Sequence, residues 1–170
     1  MLLGQDIVIL VGLLSTSEDW TVRSLGESLE VDPTAVHRGL KRLQEARLYD
    51  PHLRRINLVH AEEFLIHGLK YIFPPEFSGE TRGVPTAWAA PPLADQLAND
   101  ESGLDPVWPH PQGQSRGIAL TPIYKTVPEL ALRNPNLGER LALIDAIRAG
   151  DTRVRKLAAE LLTEQLMATA

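Results

Sequence analysis

Residues 25–46 read LGESLEVDPTAVHRGLKRLQEA, and this stretch decides the N-terminal fold. Asp32 is an N-cap residue, and Pro33 follows at the first helical position, where its missing N–H costs nothing. A helix is therefore expected from Pro33 to about Ala46. A preceding helix is expected over Thr21 to Leu29, with Thr21 as N-cap and Val22, Leu25 and Leu29 inward. At about 100° per residue, Val36, Leu40 and Leu43 fall within about 60° of one another and face a core. The opposite side holds Thr34, Arg38, Lys41 and Glu45, flanked by His37 and Arg42.

Outward from this pair of helices the pattern continues in both directions. Asp6 to Ser15 reads as a first helix with Ile7, Leu10, Val11 and Leu14 on one side. After Ala46, residues 48–52 read as a short strand entering a turn, and Leu53 to Val59 can return as a second. Arg54 and Arg55 then lie near the hairpin tip, and Ala61 to Phe73 follows as a helix with Phe64, Leu65, Leu69 and Ile72 inward. Residues 1–73 thus form one unit of helices with a small hairpin.

The net charge of the chain is −5, which on average does not suit a nucleic-acid partner. Its distribution does. Between Pro33 and Arg55 stand Arg38, Lys41, Arg42, Arg47, Arg54 and Arg55 against only Glu45 and Asp50, and the local field at a binding face matters more than the total. A short helix with so basic a solvent face, set by a tight turn against its predecessor, has the form of a recognition helix in a helix-turn-helix.

The stretch resembles the winged helix-turn-helix of MarR-like and related bacterial regulators. Thr34 opens the helix, Val36 and Arg38 follow, and Leu40 with Leu43 forms the Leu-x-x-Leu anchor. The resemblance covers roughly residues 5–60. It implies that Thr34, His37, Arg38, Lys41 and Arg42 meet double-stranded DNA, with Arg54 and Arg55 as wing residues. Arg47 stands where those families place Gly, and the C-terminal two-thirds is unlike the dimerisation helices of MarR proteins. The implied function is sequence-specific transcriptional regulation, with a homodimer matching a palindromic site because one recognition helix reads few bases.

Residues 74–135 hold eleven of the thirteen prolines, which forbid long helices and central strands. Trp88, Trp108 and Tyr124 lie among them, so the segment is expected to be ordered but irregular, with room for short strands, and packed over the helical parts, with both tryptophans buried. Arg82-Gly83-Val84 and Arg116-Gly117-Ile118 form a faint echo within it. From Asn136, paired with Glu139 as a near capping box, residues 136–170 read as a helical hairpin. Leu137, Leu141, Ile144 and Ile147 mark its first helix, Gly150 and Asp151 its turn, and Val154, Leu157, Ala158, Leu161, Leu162 and Leu166 its second. That stripe can close a core or form a dimer seam. The fold class expected is mainly α with a small β wing (α+β).

Other chemistries find little support. There is no cysteine, hence no disulfide, thiolate metal site or cysteine nucleophile, and a reducing cytoplasm is expected. His60 and His67, with Glu63, make a poor metal set, and no Gly-rich phosphate loop, His-Glu-x-x-His or Gly-x-Ser-x-Gly motif occurs. No catalytic residue, metal or cofactor is expected. The apolar run Ile7–Leu14 is too short to span a bilayer and is preceded by Asp6 rather than Lys or Arg, so no export signal or membrane partner is expected. The competing function is a protein-interaction module, such as an antitoxin or accessory subunit of a two-protein system, gripping its partner through the Pro-rich segment.

Overall fold

The computed structural model describes residues 1–17, 19–97 and 105–169. Its N-terminal helix α1 (Gly4–Leu14) buries Ile7, Val8, Ile9, Leu10 and Val11 in succession. The burial is all-round, not one-sided as expected, because α2 (Val22–Leu29) and α3 (Pro33–Glu45) cover one side and a C-terminal helix covers another. The caps of α2 and α3 follow the sequence signals. Thr21 Oγ1 accepts from the Ser24 amide at 3.0 Å, and Ser24 Oγ accepts from the Thr21 amide at 2.8 Å. Asp32 Oδ1 accepts from the Thr34 amide at 2.9 Å beside Pro33.

The turn between α2 and α3 is tight. Glu30 takes left-handed backbone angles (φ 55°), and the amide of Val31 donates to the carbonyl of Gly26 at 2.9 Å. A Cβ on Gly26 would lie 2.6 Å from the Val31 carbonyl oxygen, so only glycine admits this approach. At the far end of α3, Arg47 adopts φ 62°, the conformation that usually selects Gly. The Arg47 amide donates to Gln44 and the Leu48 amide to Leu43, satisfying the last carbonyls of the helix.

Strands β1 (Tyr49–Asp50) and β2 (Arg55–Ile56) pair antiparallel with Tyr49 opposite Ile56. The return strand is shorter than expected, because Asn57 caps the next helix through a 3.2 Å bond from the His60 amide. That helix, α4 (Leu58–Glu63), continues through a π-turn (Phe64–Gly68) into α5 (Leu69–Ile72). Leu65 and Leu69 are buried as expected, whereas Ile72 is 49% exposed. The wider π-turn shifts the helical register between them.

The Pro-rich segment is more regular than its composition suggests. Strands β3 (Phe77–Pro85), β4 (Pro106–Pro109) and β5 (Ser115–Leu120) close into a small three-stranded barrel. β3 runs antiparallel to both partners, and β4 runs parallel to β5. Pro85, Pro106 and Pro109 stand at strand ends, where a missing donor does least harm. The Arg-Gly echo brackets one pairing, Arg82 lying opposite Arg116. A 3-10 turn (Ala87–Ala89) and the short α6 (Leu93–Gln96) follow β3, and α7 (Val127–Arg133) follows β5.

The C-terminal pair, α8 (Pro135–Ala149) and α9 (Thr152–Thr169), is not an appended arm. α8 is the central helix, buried continuously from Leu141 to Arg148 and packed against α1, α5, α7, α9 and the 3-10 turn. Its cap is Asn134, with Pro135 at the first helical position, rather than the expected Asn136. Ala158, Leu162 and Leu166 of α9 are buried within the chain, and Leu157 and Leu161 pack against the same core. The apolar stripe read as a candidate dimer seam is therefore occupied internally by α8 and α4.

A buried polar knot fastens the barrel to α8. Asp145 accepts from Trp108 Nε1 at 2.6 Å, Thr86 Oγ1 at 2.9 Å and Arg148 Nη1 at 2.7 Å. Arg148 Nε donates onward to the Phe73 carbonyl at 2.8 Å. Burial pushes the Asp145 carboxyl up, opposed by the Arg148 charge and by the hydrogen bonds of Thr86 and Trp108. Trp108 is buried as expected, while Trp88 packs partly buried against the same core. The whole is a mixed α+β structure in which helices predominate, and no helix among the described residues is long and apolar enough to cross a membrane.

Candidate nucleic-acid interface

α3 presents Val36, Gly39, Leu40 and Leu43 to the core, which turns Thr34, His37, Arg38 and Lys41 outward. All four are exposed, and neither Arg38 nor Lys41 forms an ion pair among the described residues. They make one basic face uninterrupted by carboxylates until Glu45 in the last turn.

Arg42 does not join that face, which corrects its expected place there. Its guanidinium folds back to α1, with Nε 2.7 Å and Nη2 2.8 Å from the two oxygens of the fully buried Asp6. This planar fork on a carboxylate is the strong, directional form of an ion pair. The hydrogen bond to Asp6 holds the Arg42 pKa above its ordinary value against the opposing effect of burial. Asp6 Oδ2 also accepts from the Leu3 amide at 2.8 Å, so the carboxylate caps α1 as well as anchoring α3. The helices meet closely at this point. A Cβ on Gly39 would stand 2.5 Å from Ile9 Cδ1 and 2.8 Å from Asp6 Oδ1.

The hairpin divides its two arginines in the same way. Arg54 takes φ 52° and lays its guanidinium 4.5 Å from the Trp20 ring centre, with Nη2 donating to the Trp20 carbonyl at 2.6 Å. Trp20 Nε1 returns a bond to the Arg54 carbonyl at 3.3 Å and packs edge-on to Tyr49. Arg54, expected near the hairpin tip as a wing residue, staples the hairpin to the segment before α2. Burial raises the Tyr49 phenol above its ordinary range, with Arg54 opposing. Arg55, opposite Asp50 in the ladder, remains exposed.

Two residues outside the expected set border this surface. Arg47 is exposed in its left-handed turn between α3 and β1, and His60 Nδ1 lies 2.8 Å from the Arg47 carbonyl oxygen. The signal for Arg47 was its position at the family's glycine. Trp20 carried no periodic signal, since it lies in a loop.

His110 Nε2 is 2.8 Å from Glu129, and His110 Nδ1 accepts from the Gln112 amide at 3.1 Å, so both ring nitrogens are engaged. Among the described residues no group of three His, Asp or Glu side chains stands at metal-holding distance. Comparison of the chain with protein-family models, with curated proteins and with solved structures finds no match.

Proposed function

We propose that the protein is a transcriptional regulator that binds double-stranded DNA sequence-specifically, with α1–α3 and the β1–β2 hairpin as a winged helix-turn-helix. The observation that carries this reading is the outward face of α3. Thr34, His37, Arg38 and Lys41 project from one rigid helix, unpaired by any carboxylate among the described residues, beside Arg47 and Arg55. Phosphates would supply most of the affinity and base edges the selectivity. Arg42 and Arg54 serve the geometry, one fixing α3 on α1 and the other fixing the hairpin. A second copy on a two-fold related half-site would supply the selectivity that one helix lacks. Selection from a random duplex library tests the proposal. The intact chain should enrich a common sequence, its affinity should fall steeply with salt, and an Arg38→Ala, Lys41→Ala variant of unchanged stability should enrich nothing. Absence of salt-dependent duplex binding by the intact chain would favour the interaction-module reading.

A further inference from the structure

A polar cleft of about 290 Å³ lies on the side of α8 near its N-terminal end, lined by Ser15, Asn134, Asn136, Glu139, Arg140 and Gln165. The cleft joins three elements: the end of α1, the first two turns of α8 and the last turns of α9. Its volume equals roughly ten waters, the scale of a ligand with about as many heavy atoms.

The lining has an unusual balance. Arg140 is half-buried, and among the described residues its side chain makes one hydrogen bond, from Nη1 to Ser15 Oγ at 3.1 Å. No carboxylate among the described residues pairs with it, and burial lowers its pKa from the ordinary arginine value. A guanidinium so placed has its planar donors free for a carboxylate. Asn134 uses its Oδ1 on the Leu137 amide, which leaves its NH2 group as a further donor. Against these stands an acceptor, since Glu139 has no cationic partner among the described residues.

We propose that this cleft binds a small zwitterion of the α-amino acid class, its carboxylate on Arg140 and the Asn134 amide, its ammonium on Glu139. A simple anion would meet Glu139 as a like charge. A neutral polyol would fill hydrogen bonds but leave both charges uncompensated. A molecule carrying both charges on adjacent carbons answers both. This inference stands independently of the DNA reading. Because the ligand would bridge α1 to α8 and α9, its occupancy would tighten the helix that carries α3.

Calorimetric titration of the full chain with each common α-amino acid tests it, using N-acetyl and α-amide forms and inorganic phosphate as controls. At least one amino acid should bind saturably and raise the melting temperature by mass action. Blocking either end should weaken binding tenfold or more. Arg140→Gln and Glu139→Gln should each do the same without shifting the unliganded melting temperature by more than a degree or two, and Arg140→Lys should recover part of the loss. No saturable binding by any amino acid would overturn the proposal, as would equal binding of a blocked form or of phosphate. Should Arg140→Gln unfold the chain, the blocked ligands decide the matter on the intact protein.

Discussion

Arg38 and Arg42 sit one helical turn apart on α3, yet their side chains serve opposite ends. Arg38 is exposed and free of ion pairs among the described residues, whereas Arg42 forks onto Asp6, which is fully buried. Removing one partner of a buried pair strands the other. Arg42→Ala should therefore lower unfolding free energy by about 3 kcal/mol, while Arg38→Ala stays within about 0.5 kcal/mol of the parent. Urea midpoints measure both, and equal midpoints would show that the Asp6 clamp contributes nothing. Periodicity on α3 could place Arg42 beside the basic face but not say which way its long side chain bends. In the sequence Asp6 carried meaning only as a charge unsuited to a signal peptide, and its partner lies 36 residues away. Gly39 carried no signal in the pattern, and a Cβ there would collide with α1. Thr34, His37, Arg38 and Lys41, by contrast, follow from helical geometry alone and stand where it puts them.

The β1–β2 hairpin shows how an element too short to be stable alone is held in place. Two residues per strand cannot sustain a ribbon in water. Its turn is organised by Asp50, whose Oδ1 accepts from the His52 amide at 2.8 Å and the Leu53 amide at 3.1 Å. These bonds, that of Leu53 first, hold the Asp50 carboxyl below its ordinary pKa of 3.8. A carboxyl depressed in the folded state stabilises it above the unfolded pKa and loses that contribution as pH falls through the folded one. Acidification below the ordinary aspartate range should thus lower the hydrogen-exchange protection of the His52 and Leu53 amides, taken against the intrinsic rate at each pH. Asp50→Asn, which keeps an acceptor without a titrating charge, should flatten that response; an unchanged response would acquit Asp50. The same element tests the interface. Arg55→Ala should reduce the slope of log affinity against log salt by about 0.9 per phosphate contact, equally for selected and scrambled duplex. Arg54→Ala should instead loosen the hairpin, detectable as a red shift in Trp20 emission, because its charge lies over that ring. Hairpin and turn were legible in the alternation and Pro51, but the staple was not, since Trp20 reaches it from a loop with no period.

At the scale of the molecule, the decisive fact is that α8 runs through the centre of the chain. Sequence periodicity shows which side of a helix is apolar, not what covers the rest. Asp145 and Arg148 are buried, at 2% and 4% exposure, where Thr86 and Trp108 reach Asp145 from the Pro-rich segment. Its prolines correctly excluded long helices, but the barrel depends on pairings between distant strands that no local pattern encodes. Deleting residues 136–170 should therefore unfold the chain, not merely lighten an oligomer, and light scattering with circular dichroism would separate the two. The sharper test concerns the knot at Asp145. If Trp108, Thr86 and Arg148 truly bind the barrel to the helical core, the two parts must unfold together. A Trp20→Phe, Trp88→Phe background leaves Trp108 as the single tryptophan of the original three, reporting on β4. In urea its emission and the helical ellipticity should trace one superimposable transition. Asp145→Ala would leave the Arg148 charge buried with its main partner gone and Trp108 Nε1 without its acceptor, a loss of about 3–5 kcal/mol that should leave little folded protein. Asp145→Asn keeps an acceptor for Trp108 while removing the charge opposite Arg148, so it should lower both transitions by the same amount. Separation of the two curves, with Trp108 released at lower urea than the helices, would instead make residues 74–135 an autonomous cover whose contacts with α8 contribute little to cooperativity.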